Sequence, residues 1–189
     1  MKETRTQLLE AARELFVEKG IERTTMTAIA KRAGKGRRTL YAHFYSREQI
    51  YLELITMEME HLNDELQKVM NLPVPADEKL RRYIFVRLDT FREIILRNGS
   101  MKAEFFQDAV AVERARRTMN TREIQMLRRI FQEGVAAGLF NISNTSFAAE
   151  IAFNMLKGLE KPYYRDKFYS QMQIYRNLVA NALIKAISK

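Results

Sequence analysis

The sequence predicts an all-α protein of about nine helices, with a helix-turn-helix domain at its N-terminus. Apolar residues recur at helical spacing along the 189-residue chain, which contains three prolines and no alternating strand pattern. A glycine turn at Gly34 separates two short amphipathic helices. We therefore expect residues 1–48 to form the helix-turn-helix domain and residues 49–189 to form a second helical domain.

The helix-turn-helix is predicted from the apolar residues on both sides of the turn. The helix before Gly34 carries a buried stripe at i, i+3, i+4 and i+7: Met26, Ile29, Ala30 and Ala33. Gly34 can adopt the left-handed conformation that ends this helix. In the next helix Leu40 and Phe44 share one face, which leaves the opposite face to Arg37, Arg38, Thr39 and Ala42. An ordinary helical hairpin with a solvated basic face is the alternative interpretation.

Capping residues predict most of the helix boundaries. The first helix ends at Gly20, Thr25 caps the second, Gly36 opens the third, and a capping box, Ser46–Gln49, opens a fourth that reaches about Met70. Two prolines between Asn71 and Asp77 interrupt the chain, and Asp77 is predicted to cap a fifth helix that ends at Asn98. The remaining predicted boundaries are a cap at Ser100, an end at Gly138, a cap at Ser143 or Asn144, and a loop at Pro162 before a ninth helix from about Phe168.

Positive charge is concentrated near the turn. The net charge is +9, of which residues 1–50 contribute +5. Five of the eight residues from Lys31 to Arg38 are basic, which is typical of a phosphate-binding surface. The chain has no cysteine, its two histidines lie eighteen residues apart, and no apolar stretch approaches the ~20 residues of a membrane span. No metal, cofactor or membrane contact is expected.

Residues 24–30, 33–34 and 39–48 resemble the signature of the TetR/AcrR family of bacterial transcriptional regulators. These segments read Thr-Thr-Met-Thr-Ala-Ile-Ala, Ala-Gly and Thr-Leu-Tyr-Ala-His-Phe-Tyr-Ser-Arg-Glu. The resemblance implies an all-helical cytoplasmic homodimer with an N-terminal DNA-reading module and a C-terminal ligand-sensing module. The sequence departs from the family pattern at Lys35-Gly36, where valine-serine is usual, and at Arg38, where a small residue is common.

The predicted DNA contacts centre on the third helix. Arg37 and Arg38 have planar guanidinium groups that can bind guanine O6 and N7, and Thr39 offers a methyl and a hydroxyl. Arg38 can equally bind a phosphate. Family resemblance assigns phosphate contacts to Lys35, Tyr41, His43 and Arg47, while packing in the core is an alternative for Tyr41 and a plain surface position for His43. Gly36 and Thr25 complete the predicted set.

The second domain contains no catalytic constellation but many bulky apolar residues. Such residues form a core more often than a pocket, and the family resemblance implies that some of them line an apolar effector cavity. The candidates are Phe85, Leu88, Phe91, Phe105, Phe106, Ala109, Met126, Phe131 and Met155. The last two predicted helices carry small and apolar residues suited to a four-helix dimer interface. The candidates there are Ala148, Ile151, Ala152, Met155, Leu159, Tyr175, Val179 and Ala182.

These features predict a dimeric repressor that binds double-stranded DNA at a palindromic operator and is released by a small apolar or amphipathic ligand. One alternative is a helix-turn-helix regulator without a small-molecule effector, controlled by a protein partner. A second is a helical-bundle enzyme acting on an acidic substrate, which would need a convergent set of titratable residues that the sequence does not show. We therefore expect a protein that is not an enzyme.

Overall fold

The computed structural model describes residues 2–98, 109–163 and 172–189, and these ranges contain eight helices and one isolated β-bridge. The helices are α1 (Lys2–Lys19), α2 (Met26–Arg32), α3 (Arg37–His43), α4 (Arg47–Met70), α5 (Ala76–Asn98), α6 (Ala109–Ala136), α7 (Thr145–Tyr163) and α8 (Met172–Ile187). None of these described helices has both the length and the apolar content needed to cross a membrane. The prediction of an all-α fold is confirmed.

The chain divides into two compact units. The first comprises residues 1–59 and 95–117, and the second comprises residues 60–94 and 118–189. The first unit thus includes the predicted helix-turn-helix domain, the N-terminal half of α4 and the C-terminal end of α5. Helices α4, α5 and α6 each continue from one unit into the other without a break.

The core of the first unit is built from the apolar stripes of its helices. Its fully buried side chains include Leu8, Ala12, Phe16, Ile29, Leu40, Phe44, Ile50 and Leu54. Phe16 and Tyr51 make an edge-to-face contact with ring centroids 6.1 Å apart. Between α1 and α2, the buried Thr24 hydroxyl donates to the Gly20 carbonyl at 2.8 Å. These contacts fix α2 and α3 against α1 and α4.

Several predicted helix boundaries are confirmed. Gly20, Gly34 and Gly138 have positive φ angles of 83°, 63° and 71°, as expected where a helix ends in the left-handed conformation. The Thr25 hydroxyl accepts from the Ala28 amide at 3.2 Å, and Ser46 Oγ accepts from the Gln49 amide at 3.1 Å. At α7 the cap is Asn144, whose side chain accepts from the Phe147 amide at 3.0 Å.

Two boundaries differ from the prediction. Helix α5 begins at Ala76, so Asp77 lies in its first turn, where its negative charge interacts favourably with the helix dipole but the residue is not the cap. Pro162 lies inside α7, in the final turn, where a proline removes a single hydrogen bond. Within the described residues, α6 runs unbroken from Ala109 to Ala136. The predicted cap at Ser100 and the residue Phe168 lie outside the described residues.

The core of the second unit combines α5, α6, α7 and α8. Its buried residues include Leu80, Leu88, Phe91, Leu127, Phe131, Phe153, Leu156 and Leu183. Phe140, in the α6–α7 loop, is buried edge-to-face against Phe131 and forms a β-bridge with Ser188. The Asn141 amide donates to the Ile187 carbonyl at 2.7 Å, so the end of α8 is fixed to this loop.

Candidate nucleic-acid interface

The turn between α2 and α3 is held entirely by backbone hydrogen bonds. The Ala33 amide donates to the Ile29 carbonyl at 3.0 Å, and the Lys35 amide donates to the Ala30 carbonyl at 2.9 Å. Gly34 has a φ of 63°, a conformation that is strained for any residue with a Cβ. A glycine, which has no Cβ, therefore allows the turn to close. Gly36 ends the turn and is the residue before α3. The Leu40 amide donates to the Gly36 carbonyl at 3.1 Å.

Three predicted contact residues at the start of α3 carry unpaired positive charge. Arg37 and Arg38 are exposed, and Lys35 is partly exposed. None of the three forms an ion pair with any residue that the structure describes. Thr39 follows them with its side chain partly exposed. This end of α3 therefore offers cations and a hydroxyl to an external anion.

Arg32, the third arginine of this basic region, forms ion pairs with α1. Its guanidinium binds Glu14 at 2.9 Å and Glu18 at 2.8 Å. The pKa of Arg32 is raised, first by the hydrogen bonds that it donates to Glu18 and then by the one that it donates to Glu14. The dense basic run in the sequence thus contains one arginine whose contacts join α2 to α1.

Arg47, for which a phosphate contact is predicted, is hydrogen-bonded to other residues of the protein. Its Nη1 donates to the carbonyls of Ile21, Glu22 and Thr24 at 3.1, 2.6 and 3.3 Å. Its Nη2 donates to the Glu22 carboxylate at 3.0 Å, and its Nε donates to Glu48 at 2.7 Å. The pKa of Arg47 is raised, chiefly by the hydrogen bond to Glu48. Arg47 fixes the α1–α2 loop to the start of α4, so few of its donors remain for a phosphate.

Tyr41 and His43 lie at the other end of α3. Tyr41 is 48% exposed, which excludes the alternative that it packs in the core. His43 is partly exposed, with its ring centroid 6.4 Å from that of Phe44. Thr25 is exposed and its hydroxyl oxygen caps α2, so it lies at the N-terminal end of that helix as predicted.

A buried polar cluster lies in the first unit, between residues of α1, α4 and α5. The carboxylate of Glu58 on α4, 2% exposed, accepts from Arg13 on α1 and from Asn98 and Arg97 at the end of α5. Arg13 also donates to the Asn98 side chain at 2.8 Å. These four residues join three helices within the first unit. No local sequence pattern indicates the cluster, because a glutamate in a helical repeat is usually an ordinary surface position.

The predicted effector-pocket residues of the second unit fall into three groups. Leu88, Phe91, Met126 and Phe131 are buried, and Phe85 is partly exposed beneath the Arg176 guanidinium at 4.8 Å. Met155 is 48% exposed, so it faces away from the interior and does not line an internal cavity. Phe105 and Phe106 lie outside the described residues, as does the side chain of Ala109.

The interior of the second unit also holds charges that the sequence did not reveal. Arg87 is fully buried and its Nε donates to the buried Glu123 carboxylate, which also accepts from the Tyr83 hydroxyl at 3.4 Å. Arg87 Nη1 donates to the Leu156 carbonyl at 3.3 Å. The pKa of Tyr83 is raised well above its usual value, first by burial and then by the negative charge of Glu123.

The candidate dimer surface is an exposed apolar stripe on α7 and α8. The exposed residues include Phe147, Ile151 and Met155 at four-residue spacing on α7, and Ile174 and Leu178 on α8. Ala182 continues the stripe on α8, while Ala148, Leu159, Tyr175 and Val179 are partly exposed. Ala152 is 1% exposed and belongs to the core of its own protomer, which corrects that prediction. Phe147, Ile174 and Leu178 were missed, although their spacing continues the helical period.

A helix-turn-helix with unpaired cations on its second helix, followed by a helical second unit, defines a DNA-binding transcription regulator. Residues 8–54 match the family model described as bacterial regulatory proteins, tetR family, and residues 76–189 match the model described as QacR-like protein, C-terminal region. The chain belongs to the TetR family.

Curated relatives agree with this assignment. The chain is 27% identical over 156 residues to the HTH-type transcriptional regulator QacR of Staphylococcus aureus, and this alignment covers 81% of this chain and 82% of QacR. It is 25% identical over 155 residues to the HTH-type transcriptional regulator YhgD of Bacillus subtilis, covering 79% of this chain and 77% of YhgD. These relatives are transcription regulators and not enzymes.

Solved structures share the fold over nearly the whole chain. A transcriptional regulator from Cytophaga hutchinsonii superposes with a TM-score of 0.78 at 24% identity, covering 96% of this chain and 97% of that one. The SmeT–triclosan complex superposes with a TM-score of 0.78 at 18% identity, covering 98% and 92%. FadR of Bacillus subtilis, solved with stearoyl-CoA, superposes with a TM-score of 0.77 at 19% identity, covering 95% and 97%.

Proposed function

We propose that this TetR-family regulator is a cytoplasmic, dimeric repressor that binds a palindromic operator and is released by a small apolar or amphipathic ligand. The observation that carries the DNA-binding part is the set of unpaired cations, Lys35, Arg37 and Arg38, at the start of α3. Neighbouring arginines in the same unit, Arg32 and Arg47, are held by protein acceptors. The cations that remain available for DNA therefore lie on α3 or directly before it, and α3 is the helix that a helix-turn-helix inserts into the major groove.

The contacts divide between base edges and the DNA backbone. Arg37, Arg38 and Thr39 are proposed to reach base edges, where an arginine can bind guanine O6 and N7 together. Lys35, Tyr41 and His43 are proposed to hold phosphates, and the N-terminal end of α2 at Thr25 adds a further polar contact. With Arg47 removed from the set, about three or four groups per protomer remain near phosphates.

Dimerisation is proposed to occur through the apolar stripe of α7 and α8. Five large apolar side chains exposed along two neighbouring helices exceed what scattered surface residues explain. Pairing with the same two helices of a second copy would bury them in a four-helix arrangement with two-fold symmetry. A symmetric dimer requires half-sites about one helical turn apart, or a multiple of this distance, in inverted orientation.

An effector site is proposed among α5, α6 and α7. Support comes from the QacR-like C-terminal region and from two proteins of the same fold that are solved with triclosan and with stearoyl-CoA. The apolar residues Leu88, Phe91, Met126 and Phe131 lie in the same unit as the buried Arg87–Glu123 pair. Apolar side chains together with a buried charged pair suit an amphipathic ligand.

Helix α4 is the proposed route from effector to operator. It begins at Arg47, which is bonded to the α1–α2 loop, and it continues into the second unit, where Leu62 and Leu66 are fully buried. A ligand that favours one tilt of α4 would change the separation of the two recognition helices. A coupling of about 1–3 kcal/mol would change operator affinity roughly 5–150-fold.

DNA binding is tested by fluorescence anisotropy of the full-length protein on a mixed-sequence duplex of about three helical turns. With the three cations Lys35, Arg37 and Arg38 on each protomer, or six in a dimer, the slope of log K against log salt is expected to be about −5. A Lys35→Ala, Arg37→Ala, Arg38→Ala variant is expected to lose most of this affinity. Arg128→Ala, at an exposed arginine of the second unit, is the matched control. Equal binding by the triple variant and the control would contradict the proposal.

The ligand is tested by adding triclosan or stearoyl-CoA, as representative apolar and amphipathic probes, to the protein–DNA complex. A probe that raises the melting temperature of the free protein and releases DNA supports the proposal. Release by a protein partner, with no response to a wider panel of such molecules, would favour the alternative regulator without a small-molecule effector.

A further inference from the structure

We infer that Tyr45 is a DNA-backbone contact, so that this flank of the helix-turn-helix, where Arg47 is hydrogen-bonded within the protein, binds phosphate through a neutral donor. The inference rests on the proposed DNA binding. Tyr45 lies in the short connection between α3 and α4, two residues after the end of α3. Its side chain is 77% exposed, more than any other large apolar or aromatic side chain that the structure describes.

The backbone of Tyr45 is held although its ring is open to solvent. The preceding residue, Phe44, is buried and extended, with φ −143° and ψ 130°. The Tyr45 amide donates to Gln49 Oε1 at 2.9 Å, and the next residue, Ser46, caps α4. A large ring that stays in water contributes little to folding. The fixed backbone, however, reduces the entropy that is lost when the ring contacts a partner.

Charge on this flank is already neutralised by the protein itself. Residues 41–50 contain one arginine and no lysine, and that arginine is Arg47. Its guanidinium is bonded to three loop carbonyls and two carboxylates. The pKa of Glu48 is lowered, chiefly by its hydrogen bond with Arg47, so the pair stays ionised and self-compensated. The exposed groups that remain for DNA on this flank are Tyr41, His43 and Tyr45.

A tyrosine binds the DNA backbone differently from an arginine. Its hydroxyl donates a hydrogen bond to a phosphate oxygen while its ring packs against the neighbouring sugar, and it carries no charge at neutral pH. A neutral contact releases no condensed counterion, so it adds affinity that does not depend on salt. The DNA interface then has two parts: a salt-dependent one at Lys35, Arg37 and Arg38, and a salt-independent one at Tyr41 and Tyr45.

The test measures duplex affinity of the full-length protein by anisotropy between low and moderate salt. Tyr45→Ala is expected to weaken binding roughly 2- to 10-fold at every salt concentration, with the slope unchanged. Tyr45→Lys is expected to restore affinity at low salt and to steepen the slope by about 0.9 per protomer, since it adds a charge beside a phosphate. Val135→Ala, an exposed apolar truncation on α6, is the control and is expected to bind like the wild type.

Two further measurements separate the possible failures. Arg47→Lys is expected to lower the melting temperature while leaving the salt slope unchanged, because its role is in the protein and not on phosphate. Wild-type affinity for Tyr45→Ala together with an unchanged slope for Tyr45→Lys would overturn the inference while DNA binding itself stands. A flatter slope for Arg47→Lys at an unchanged melting temperature would also overturn it. Absence of DNA binding by the wild type would instead overturn the proposed function.

Discussion

At the scale of single residues, the helix-turn-helix separates its cations by whether a protein acceptor holds them. Arg32 and Arg47 have carboxylate partners and raised pKa values, whereas Arg37 and Arg38 have no ion-pair partner among the described residues. All four are arginines on one short segment, so residue type alone does not separate them. Their partners do, and those partners lie between 14 and 26 positions away or immediately adjacent along the chain.

A glycine in α6, Gly134, leads to a prediction about the stability of the fold. A Cβ at Gly134 would fall well inside van der Waals contact with the buried Phe140 ring, whereas a Cβ at Gly158 in α7 would meet nothing within 4 Å. We expect Gly134→Ala to lower the free energy of unfolding by about 1–3 kcal/mol through overpacking. Gly158→Ala is expected to raise it by about 0.5–1 kcal/mol, since alanine is the better helix former. Thermal unfolding of both variants measures this, and equal effects would show that Phe140 moves freely.

At the scale of helices, buried polar contacts join elements that are far apart in the chain. Glu58 is the convergence point in the first unit, because it accepts from Arg13 on α1 and from Arg97 and Asn98 on α5. Glu58 lies two residues before α4 enters the second unit, and Arg97 lies shortly after α5 has left it. The cluster therefore joins, within the first unit, two helices that continue into the second unit.

Removing the charge of Glu58 is expected to destabilise this arrangement strongly. Glu58→Gln removes the buried carboxylate that pairs with Arg13 and leaves the exposed Glu10 as the remaining counter-charge of this buried guanidinium. Breaking a buried pair by removing one partner typically costs about 3–5 kcal/mol. Glu65→Gln, on the same helix, removes a surface pair with Lys68 and is expected to cost less than about 1 kcal/mol. Urea unfolding followed by circular dichroism compares the two. A Glu58→Gln variant as stable as Glu65→Gln would show that the cluster contributes little.

A second inter-helix pair gives a pH-dependent prediction. Lys79 on α5 donates to Glu133 on α6 at 2.8 Å, and this contact is the main reason why the pKa of Glu133 is lowered. A lowered pKa in the folded state means that the carboxylate stabilises the fold above its unfolded-state pKa, about 4.5. That contribution disappears as the pH falls through the lower folded-state value.

The difference in unfolding free energy between wild type and Glu133→Gln measures it. We expect about 1 kcal/mol in favour of the wild type at pH 7, decreasing as the pH falls from about 4.5 towards 3. Glu150→Gln, at an exposed position of α7, is expected to show no comparable change. A difference that stays constant down to pH 3 would exclude this pair as the cause.

The sequence predicted most helix boundaries because caps and glycines are local signals. Thr25, Gly34 and Ser46 act on residues within four positions, so their effect can be read without the fold. The role of Arg47 could not be read in this way, because its partners Ile21, Glu22 and Thr24 are brought to it only by the packing of α1 and α4. Ala152 was misplaced for a similar reason: periodicity identifies an apolar face but not which edge of it remains exposed in the protomer.

At the scale of the whole molecule, the proposed function requires two copies of the chain. The exposed stripe of α7 and α8 predicts that Ile151→Asp yields a folded monomer, since Ile151 is 45% exposed in the protomer. Ala152→Asp is the matched control, because the buried neighbour should lower the melting temperature instead. Sedimentation velocity and thermal unfolding distinguish the two effects. An Ile151→Asp variant that remains a dimer would place the interface elsewhere.

We propose that α3, presented twice by a symmetric dimer, reads DNA sequence. Selection of bound duplexes from a random pool by the full-length protein, followed by sequencing, tests this proposal. We predict an enriched inverted repeat whose half-site centres lie about one helical turn apart, or a multiple of it. Arg37→Ala is expected to lose preference at one base pair in each half-site, whereas Lys35→Ala weakens all sequences alike. Recovery of no common sequence, or of one without inverted symmetry, would contradict the account.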